Sequence, residues 1–213
     1  MKPQLILIGA PGSGKGTQAK NLIDEMGYNH ISTGDLLRAE IAKGSELGQK
    51  LKSILDAGNL VDDATVLELL NANCELEGKS YIFDGYPRNL EQAKALDEHV
   101  LKGANSMAIY FDIDLEILIE RIVNRRTAPK SGEIYNLITR PPKVPGKCDV
   151  SGEDLVHRKD DNEDTVRNRM NIFKENVDPI LEYYEGQGRL QRVNAASSAV
   201  EVFELIKKII DNK

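Results

Sequence analysis

Leu5-Ile-Leu-Ile-Gly-Ala-Pro-Gly-Ser-Gly-Lys-Gly-Thr17 is the stretch from which the rest of the chain can be read. Leu5, Ile6, Leu7 and Ile8 form a short apolar run of the kind that becomes a buried strand. Gly9, Gly12 and Gly14 follow closely, with Pro11 between them. After Lys15 the chain turns helical through Gln18, Ala19, Lys20, Asn21, Leu22 and Ile23. Strand, glycine loop, lysine and helix in that order make a phosphate cradle. The glycines let successive backbone N–H groups point at one anion, the helix N-terminus adds its positive end, and the lysine adds a mobile charge. The competing reading is a plain glycine turn between a strand and a helix.

The common form of this loop puts Ser or Thr directly after the lysine, as a magnesium ligand. Here Gly16 takes that place and Thr17 follows. The departure points away from switch-type GTPases and toward kinases of small molecules.

Composition narrows the field. The chain has 213 residues, enough for one α/β domain with a substantial core and an insertion. Its 29% charged and 40% hydrophobic residues are ordinary for a soluble globular protein. A net charge of −6 implies no broad basic surface for nucleic acid, so an anionic substrate must meet arginines gathered locally. No apolar run approaches the roughly 18 residues of a membrane span. The chain start reads as a core strand behind one lysine rather than a signal peptide. Cys74 and Cys148 lie far apart, so a reduced, cytoplasmic protein is expected.

Periodicity predicts strands at 4–8, 28–31, 81–83, 107–111 and 189–193. It predicts helices at about 14–26, 90–101, 114–125, 164–184 and 200–210. Ser32-Thr-Gly-Asp35 opens a further helix, Gly44 breaks it, residues 47–55 form another, and Asp62-Asp63 cap one that reaches about Leu76. The alternation predicts an α/β P-loop three-layer fold: a five-stranded parallel sheet with helices on both faces. Residues 32–61 read as a helical insertion. From Thr127 to Lys159, prolines 129, 141, 142 and 145 alternate with glycines and the helical period is lost, while 133–139 reads as a strand. A non-helical segment this long inside a compact domain is usually functional. The expected division is a core of 1–31, 62–123 and 162–213, the insertion 32–61, and a small β-rich lid at 124–161.

Asp84 ends the third strand and leads into Gly85-Tyr-Pro-Arg88. A carboxylate there, beside a phosphate loop, can hold magnesium directly or through water. Its ordinary reading is an Asp-Gly turn. Arg88 would face the same phosphates. Arg38 lies one turn into the helix opened by Ser32 and Thr33, where Thr33 can serve as cap and ligand contact. Arg125 and Arg126 are expected to end a helix, complementing its dipole. Arg158 and Arg169 flank Asp160-Asp161 at the other end of the lid. If both insertions close over the loop, these arginines converge on phosphate, which is what phosphoryl transfer requires.

Gly9-Ala-Pro-Gly-Ser-Gly-Lys-Gly-Thr17, Ser32-Thr-Gly-Asp-Leu-Leu-Arg38, Asp84-Gly-Tyr-Pro-Arg88 and Arg158-Lys-Asp-Asp161 together resemble the adenylate kinases, specifically the bacterial long-lid form. The resemblance runs nearly end to end. It implies the reaction MgATP + AMP = 2 ADP, with Mg2+ held mainly by nucleotide phosphates and water. It places the ATP phosphates on Gly12, Ser13, Gly14, Lys15, Gly16 and Thr17. Arg121, Arg125, Ile134, Tyr135 and Ser197 would take the rest of ATP. AMP would be held by Thr33, Arg38, Asn59, Leu60, Val61, Gly85, Tyr86, Pro87, Arg88 and Gln92, the Gln92 amide reading the adenine edge. Lys15, Asp84, Arg88, Arg125, Arg158 and Arg169 would line the transfer path, with Asp160 and Asp161 orienting the arginines. The implied partners are ATP, AMP and ADP, with no nucleic acid and no membrane, and a monomer is expected. His30, His99 and His157 match no family role. A kinase of UMP, CMP or GMP and a non-catalytic ATP-sensing module are the alternatives.

Many long-lid members hold zinc through one Cys pair and a second pair of Cys, or Cys with Asp. The matching positions here are Ala128, Ser131, Cys148 and Ser151. One thiolate cannot build a tetrahedral structural site. No zinc is therefore expected, contacts of Ser131 and Ser151 should replace it, and Cys148 should be a small, inert residue. Elemental analysis of the purified protein should find well under one equivalent of zinc; a stoichiometric, tightly held ion would refute this reading of the lid.

Overall fold

The computed structural model describes residues 2–212, with Glu116 described in its backbone. In chain order its elements begin with β1 (Gln4–Ile8), α1 (Lys15–Met26), β2 (Asn29–Ser32), α2 (Thr33–Ala42), α3 (Glu46–Asp56), α4 (Asp63–Asn73) and β3 (Tyr81–Asp84). Next come α5 (Leu90–Ala95), which runs on into a π-helical segment at Leu96–Leu101, β4 (Ser106–Asp112), α6 (Glu116–Val123), β5 (Arg125–Thr127) and β6 (Ile134–Asn136). A 3-10 turn at Lys159–Asp161, α7 (Glu163–Gly186), β7 (Leu190–Asn194) and α8 (Ala199–Asp211) complete the chain.

All five residues of β1 are buried. Leu5 and Leu7 enter one apolar cluster while Ile6 and Ile8 enter the other, so the strand is covered on both faces and reads as an unbroken apolar run. The main sheet has the order β2-β3-β1-β4-β7, and every pairing is parallel. Leu22, Leu118, Ile122, Phe203 and Ile206, from α1, α6 and α8, cover one face. Leu51, Val66, Leu70, Leu96 and Val177, from α3, α4, the α5 continuation and α7, cover the other. From β1 the chain builds β2 and β3 on one side and β4 and β7 on the other. The loop after β1 therefore opens at the carboxyl ends of the strands, where the order switches direction and where open α/β sheets bind ligands.

Helix ends follow the side chains that cap them. Ser32, Ser45, Asp62, Asn89, Asn162 and Ser198 each accept a backbone N–H of the first turn of α2, α3, α4, α5, α7 and α8. Three expectations are corrected. Arg125 and Arg126 do not end a helix: α6 stops at Val123, and Arg125–Thr127 pairs antiparallel with β6. The Asn124 and Asn136 amides donate to the carbonyls of Glu120 and Arg121, which closes the helix. The strand expected at 133–139 shrinks to Ile134–Asn136, because Asn136 Oδ1 accepts the N–H groups of Ile138 and Thr139 and turns the chain. The helix expected to reach Leu76 stops at Asn73, with Cys74 already extended. Around β5 and β6, isolated bridges Thr127–Val156 and Lys147–Asp154 fold residues 127–156 over a small core of Ala128, Tyr135 and Cys148. No helix among the described residues is long and apolar enough to cross a membrane.

Ile206 is fully buried where α8 meets the sheet. Ile206→Ala should lower the unfolding free energy by about 2–5 kcal/mol, the usual cost of such a truncation. Urea titration followed by circular dichroism would read it.

Candidate active site

A cleft of about 1510 Å³ opens at the carboxyl end of the sheet, between the β1–α1 loop, the start of α2, the end of β3 and the β5–β6 region. Single small-molecule sites occupy roughly 300–1,000 Å³, so this cleft has room for two ligands.

Its floor is the β1–α1 loop. Gly12 (φ 78°) and Gly14 (φ 97°) adopt the left-handed conformation that side chains resist, and this folds the loop back on itself ahead of α1. Lys15 Nζ donates to the carbonyls of Gly9 at 2.7 Å and Ala10 at 2.9 Å, and lies 3.5 Å from Ser13 Oγ. Burial pushes the Lys15 ammonium down to about 8; Asp84 opposes this, and Arg88, Arg169 and Arg125 reinforce it. A Cβ at Gly16 would meet Ile134 Cδ1 at 3.0 Å, so an apolar side chain from β6 fills the place where a Ser or Thr would stand. Lys20 Nζ lies 3.4 Å from Glu133 Oε1, a second contact between α1 and the 127–156 region.

Asp84 stands at the end of β3, with His30 Nε2 from β2 at 3.5 Å from its Oδ2. Burial pushes this carboxyl up, but His30, Lys15 and Arg88 outweigh it and hold it below the usual carboxylate range. Around it the arginines are held by acids. Asp161, with no exposed surface, takes a two-pronged pair from Arg125, Nε to Oδ2 at 2.8 Å and Nη2 to Oδ1. Arg169 Nη1 lies 3.1 Å from Asp160 Oδ2 and 3.6 Å from Asp161 Oδ1. Arg38 donates to Asp35 Oδ1 at 2.6 Å and lies 3.9 Å from Asp160 Oδ2, while Arg158 lies 3.9 Å from Asp35 Oδ1. Arg88 Nε donates to the Gly85 carbonyl at 2.8 Å. Burial and neighbouring guanidiniums push Arg158 and Arg169 below the ordinary arginine value. Both remain cations at neutral pH. The site thus concentrates positive charge out of water and calls for a polyanion.

The family model for adenylate kinase matches residues 7–189 of this chain. An adenylate kinase of Fervidobacterium nodosum is 43% identical over 210 residues, spanning 97% of this chain and 96% of that protein. One of Thermosipho melanesiensis is 44% identical over 214 residues, spanning 97% of each. One of Thermodesulfovibrio yellowstonii is 40% identical over 215 residues, spanning 99% of this chain and all of that protein. The chain belongs to the adenylate kinase family. As in any adenylate kinase, the chemistry to be accommodated is phosphotransfer.

The cleft brings together Gly12, Ser13, Gly14, Lys15, Gly16, Thr17, Thr33, Arg38, Asn59, Leu60, Val61, Asp84, Gly85, Pro87, Arg88, Gln92, Arg121, Arg125, Ile134, Tyr135, Arg158, Asp160, Arg169 and Ser197 in its lining. Two of the residues expected at the site lie outside this lining. Tyr86 is 1% exposed and belongs to the core cluster with Val66 and Leu70, while Gly85 and Pro87 on either side of it line the cleft. Asp161 is wholly buried and reaches the cleft only through Arg125 and Arg169. The Tyr135 side chain belongs to the 127–156 core, its hydroxyl accepting the Asp149 N–H at 2.7 Å. Sequence reasoning missed His30 beside Asp84, Asp35 beside Arg38 and Arg158, and Asp63, which pairs with Gln92. Only the i, i+3 spacing of Asp35 and Arg38 offered a signal.

Of the four positions matched above to zinc ligands, Ser131 places its Oγ 3.5 Å from Cys148 Sγ, and the Tyr135 hydroxyl lies 3.5 Å from the same sulfur. Glu153 accepts the N–H groups of Lys130 and Ser131 at 2.9 and 2.8 Å and the Ser151 hydroxyl at 2.8 Å. Burial pushes Cys148 up, but hydrogen bonds from Ser151, Tyr135 and Ser131 bring it down to about 6. At 3% exposure the sulfur is closed to large reagents. Among the described residues, no group of three or more His, Cys, Asp or Glu is placed to hold a metal ion.

Lys15 has a testable pH signature. Its ordinary value is 10.5 and here it is about 8, so above that pH the ligand-free lysine is neutral. A phosphate favours the ammonium, so binding must then take up a proton. Tripolyphosphate affinity should fall as pH rises through about 8, with proton uptake approaching one per site. Calorimetry in buffers of different ionisation enthalpy would measure this. Pairing pH-independent affinity with no proton uptake would contradict it.

Proposed function

We propose that this protein catalyses direct in-line transfer of the terminal phosphoryl group of MgATP to AMP, giving two ADP. Its membership of the adenylate kinase family supports the reaction. The observation that carries the mechanism is the gathering of Lys15, Arg88, Arg125, Arg158 and Arg169 around one cleft. In phosphoryl transfer the charge spreads over the equatorial oxygens of the moving group, and the protein's task is positioning and neutralisation.

In this reading the β1–α1 loop cradles the ATP phosphates and Lys15 leaves the loop carbonyls for the outer phosphates. Arg88 faces the acceptor phosphate. Arg125 and Arg169 are kept in place by Asp161 and Asp160. The donor set suits magnesium carried in by ATP: Asp84 offers one half-buried carboxylate at the strand end, and Mg2+ is commonly held by one or two carboxylates with phosphates and water. Residues 124–161 act as a lid and 32–61 as the AMP-binding insertion. The pairs Arg38–Asp160 and Arg158–Asp35 span the two segments and favour the closed state, which excludes water from the transfer. Every group named comes from one chain, so a monomer suffices.

Mixing the protein with MgATP and AMP should yield ADP, and AMP should be turned over faster than UMP, CMP or GMP. Arg88→Ala should slow transfer by about 10³-fold or more, as for other arginines that meet transition-state charge. A coupled assay at saturating nucleotide would show it; turnover near wild type would mean that Arg88 is misassigned.

A further inference from the structure

Gln92 is 2% exposed and lines the cleft beside Val61 and Arg88. Both ends of its carboxamide are already engaged. Its Oε1 accepts the backbone N–H of Arg88 at 2.7 Å, and its Nε2 donates to Asp63 Oδ1 at 2.7 Å. Asp63 is the first residue of α4 and forms no part of the cleft lining. Its carboxylate also accepts from Asn89 Nδ2, at 3.2 and 3.4 Å, while Asn89 Oδ1 accepts the Gln92 N–H at 2.7 Å. The Asp63, Asn89 and Gln92 side chains thus close a ring through the Gln92 N–H, each carboxamide oxygen accepting a backbone N–H and each carboxamide nitrogen donating to Asp63.

A carboxamide turned half a revolution keeps its shape but exchanges donor and acceptor. A free glutamine could therefore read a 6-aminopurine in one orientation and a 6-oxopurine in the other. Adenine presents an N6–H donor next to the N1 acceptor; hypoxanthine and guanine present an O6 acceptor next to an N1–H donor. In Gln92 the half-turn would set Nε2 against the Arg88 N–H and Oε1 against the Asp63 carboxylate, leaving buried polar groups unpaired. One lone pair of Oε1 and one hydrogen of Nε2 remain for a ligand, in one fixed order.

We infer that Asp63 is a specificity-determining positioning residue, which fixes the Gln92 amide in the orientation that accepts 6-aminopurine monophosphates and rejects 6-oxopurine ones. This rests on the reading that Gln92 faces the base of the acceptor nucleotide. Arg88 contributes the other half of the lock through its backbone, which substitution leaves in place, so Asp63 is the half that can be removed.

The test compares AMP with inosine monophosphate as acceptors for MgATP, since the latter reverses the edge without adding the 2-amino group of guanine. Asp63→Ala should lower the AMP-to-IMP ratio of kcat/KM by about tenfold. The change should lie in KM for the monophosphate, with KM for MgATP holding. Asp63→Asn, which keeps an acceptor for Nε2, should retain more of the ratio and keeps the test open if the alanine variant folds poorly. Gln92→Ala separates the two claims. If Gln92→Ala lowers the ratio but neither Asp63 variant does, the lock is wrong and the Gln92 reading stands. If Gln92→Ala also leaves the ratio unchanged, the Gln92 reading itself fails. Equal losses with AMP and IMP, together with a raised KM for MgATP, would make Asp63 merely structural and overturn the inference.

Discussion

The structure depends on a balance between crowded guanidinium groups and the buried carboxylates that restrain them. Arg125 and Arg169 are 16% and 17% exposed in their side chains, and Asp161 between them has no exposed surface. A single buried charge would cost several kcal/mol, and a paired one is tolerated only with good hydrogen bonding. The two-pronged Arg125–Asp161 pair meets that condition. Burial first, and then the like charges close together, push Arg158 and Arg169 below the ordinary arginine value. A phosphate entering among them relieves repulsion that the carboxylates offset only in part. That repulsion is built into the folded chain before any ligand arrives.

The sheet is what makes such a balance possible. Charges in water can drift apart, whereas these are fixed to strand ends and helix starts. Lys15 opens α1 after the loop that leaves β1, Asp84 closes β3, and β1 pairs with β3 with Leu7 opposite Asp84. That one register sets the spacing between the loop and the carboxylate. Apolar side chains on both faces of β1 lock the register, since a one-residue slip would exchange Leu5 and Leu7 with Ile6 and Ile8. Thr33 and Gly85 fix the opposite wall in the same way: the hydroxyl donates to the Gly85 carbonyl at 2.9 Å, and a Cβ at Gly85 would lie 2.8 Å from that hydroxyl.

What could be read from the residues alone was what is local or periodic. The buried run of β1, the caps at Ser32 and Asp62, and the five parallel strands all have short-range signatures. The arginines were legible because they sit in motifs. What escaped was set by partners distant in sequence. Arg125–Thr127 looks like the tail of α6, and only its pairing with Ile134–Asn136 makes it a strand. Asp63 reads as a helix cap neighbour, and nothing near it announces Gln92, 29 positions away. His30 and Asp84 meet because β2 lies beside β3, with Ser32 opposite Asp84. Tyr86 lies between motif residues, and only the packing at the end of β3 reveals it as core.

The glycine after Lys15 brings these strands together. A Ser or Thr there would supply a hydroxyl for magnesium, but its Cβ would lie 3.0 Å from Ile134 Cδ1, tighter than the packing permits without movement. The chain has an apolar contact where a ligand hydroxyl would stand, and it adds the Lys20–Glu133 pair on the next turn of α1. Both contacts join the loop helix to the segment that carries Arg125. Glu133 is itself 7% exposed and shared with Arg140 at 3.2 Å, while the Lys20 and Arg140 side chains keep 30% and 57% of their surface, so the join has a buried acid and water-facing cations. The absent side chain therefore works toward the same end as the arginine cluster. It lets β6 pack against the start of α1 and so brings the segment that carries Arg125 beside the loop that holds Lys15.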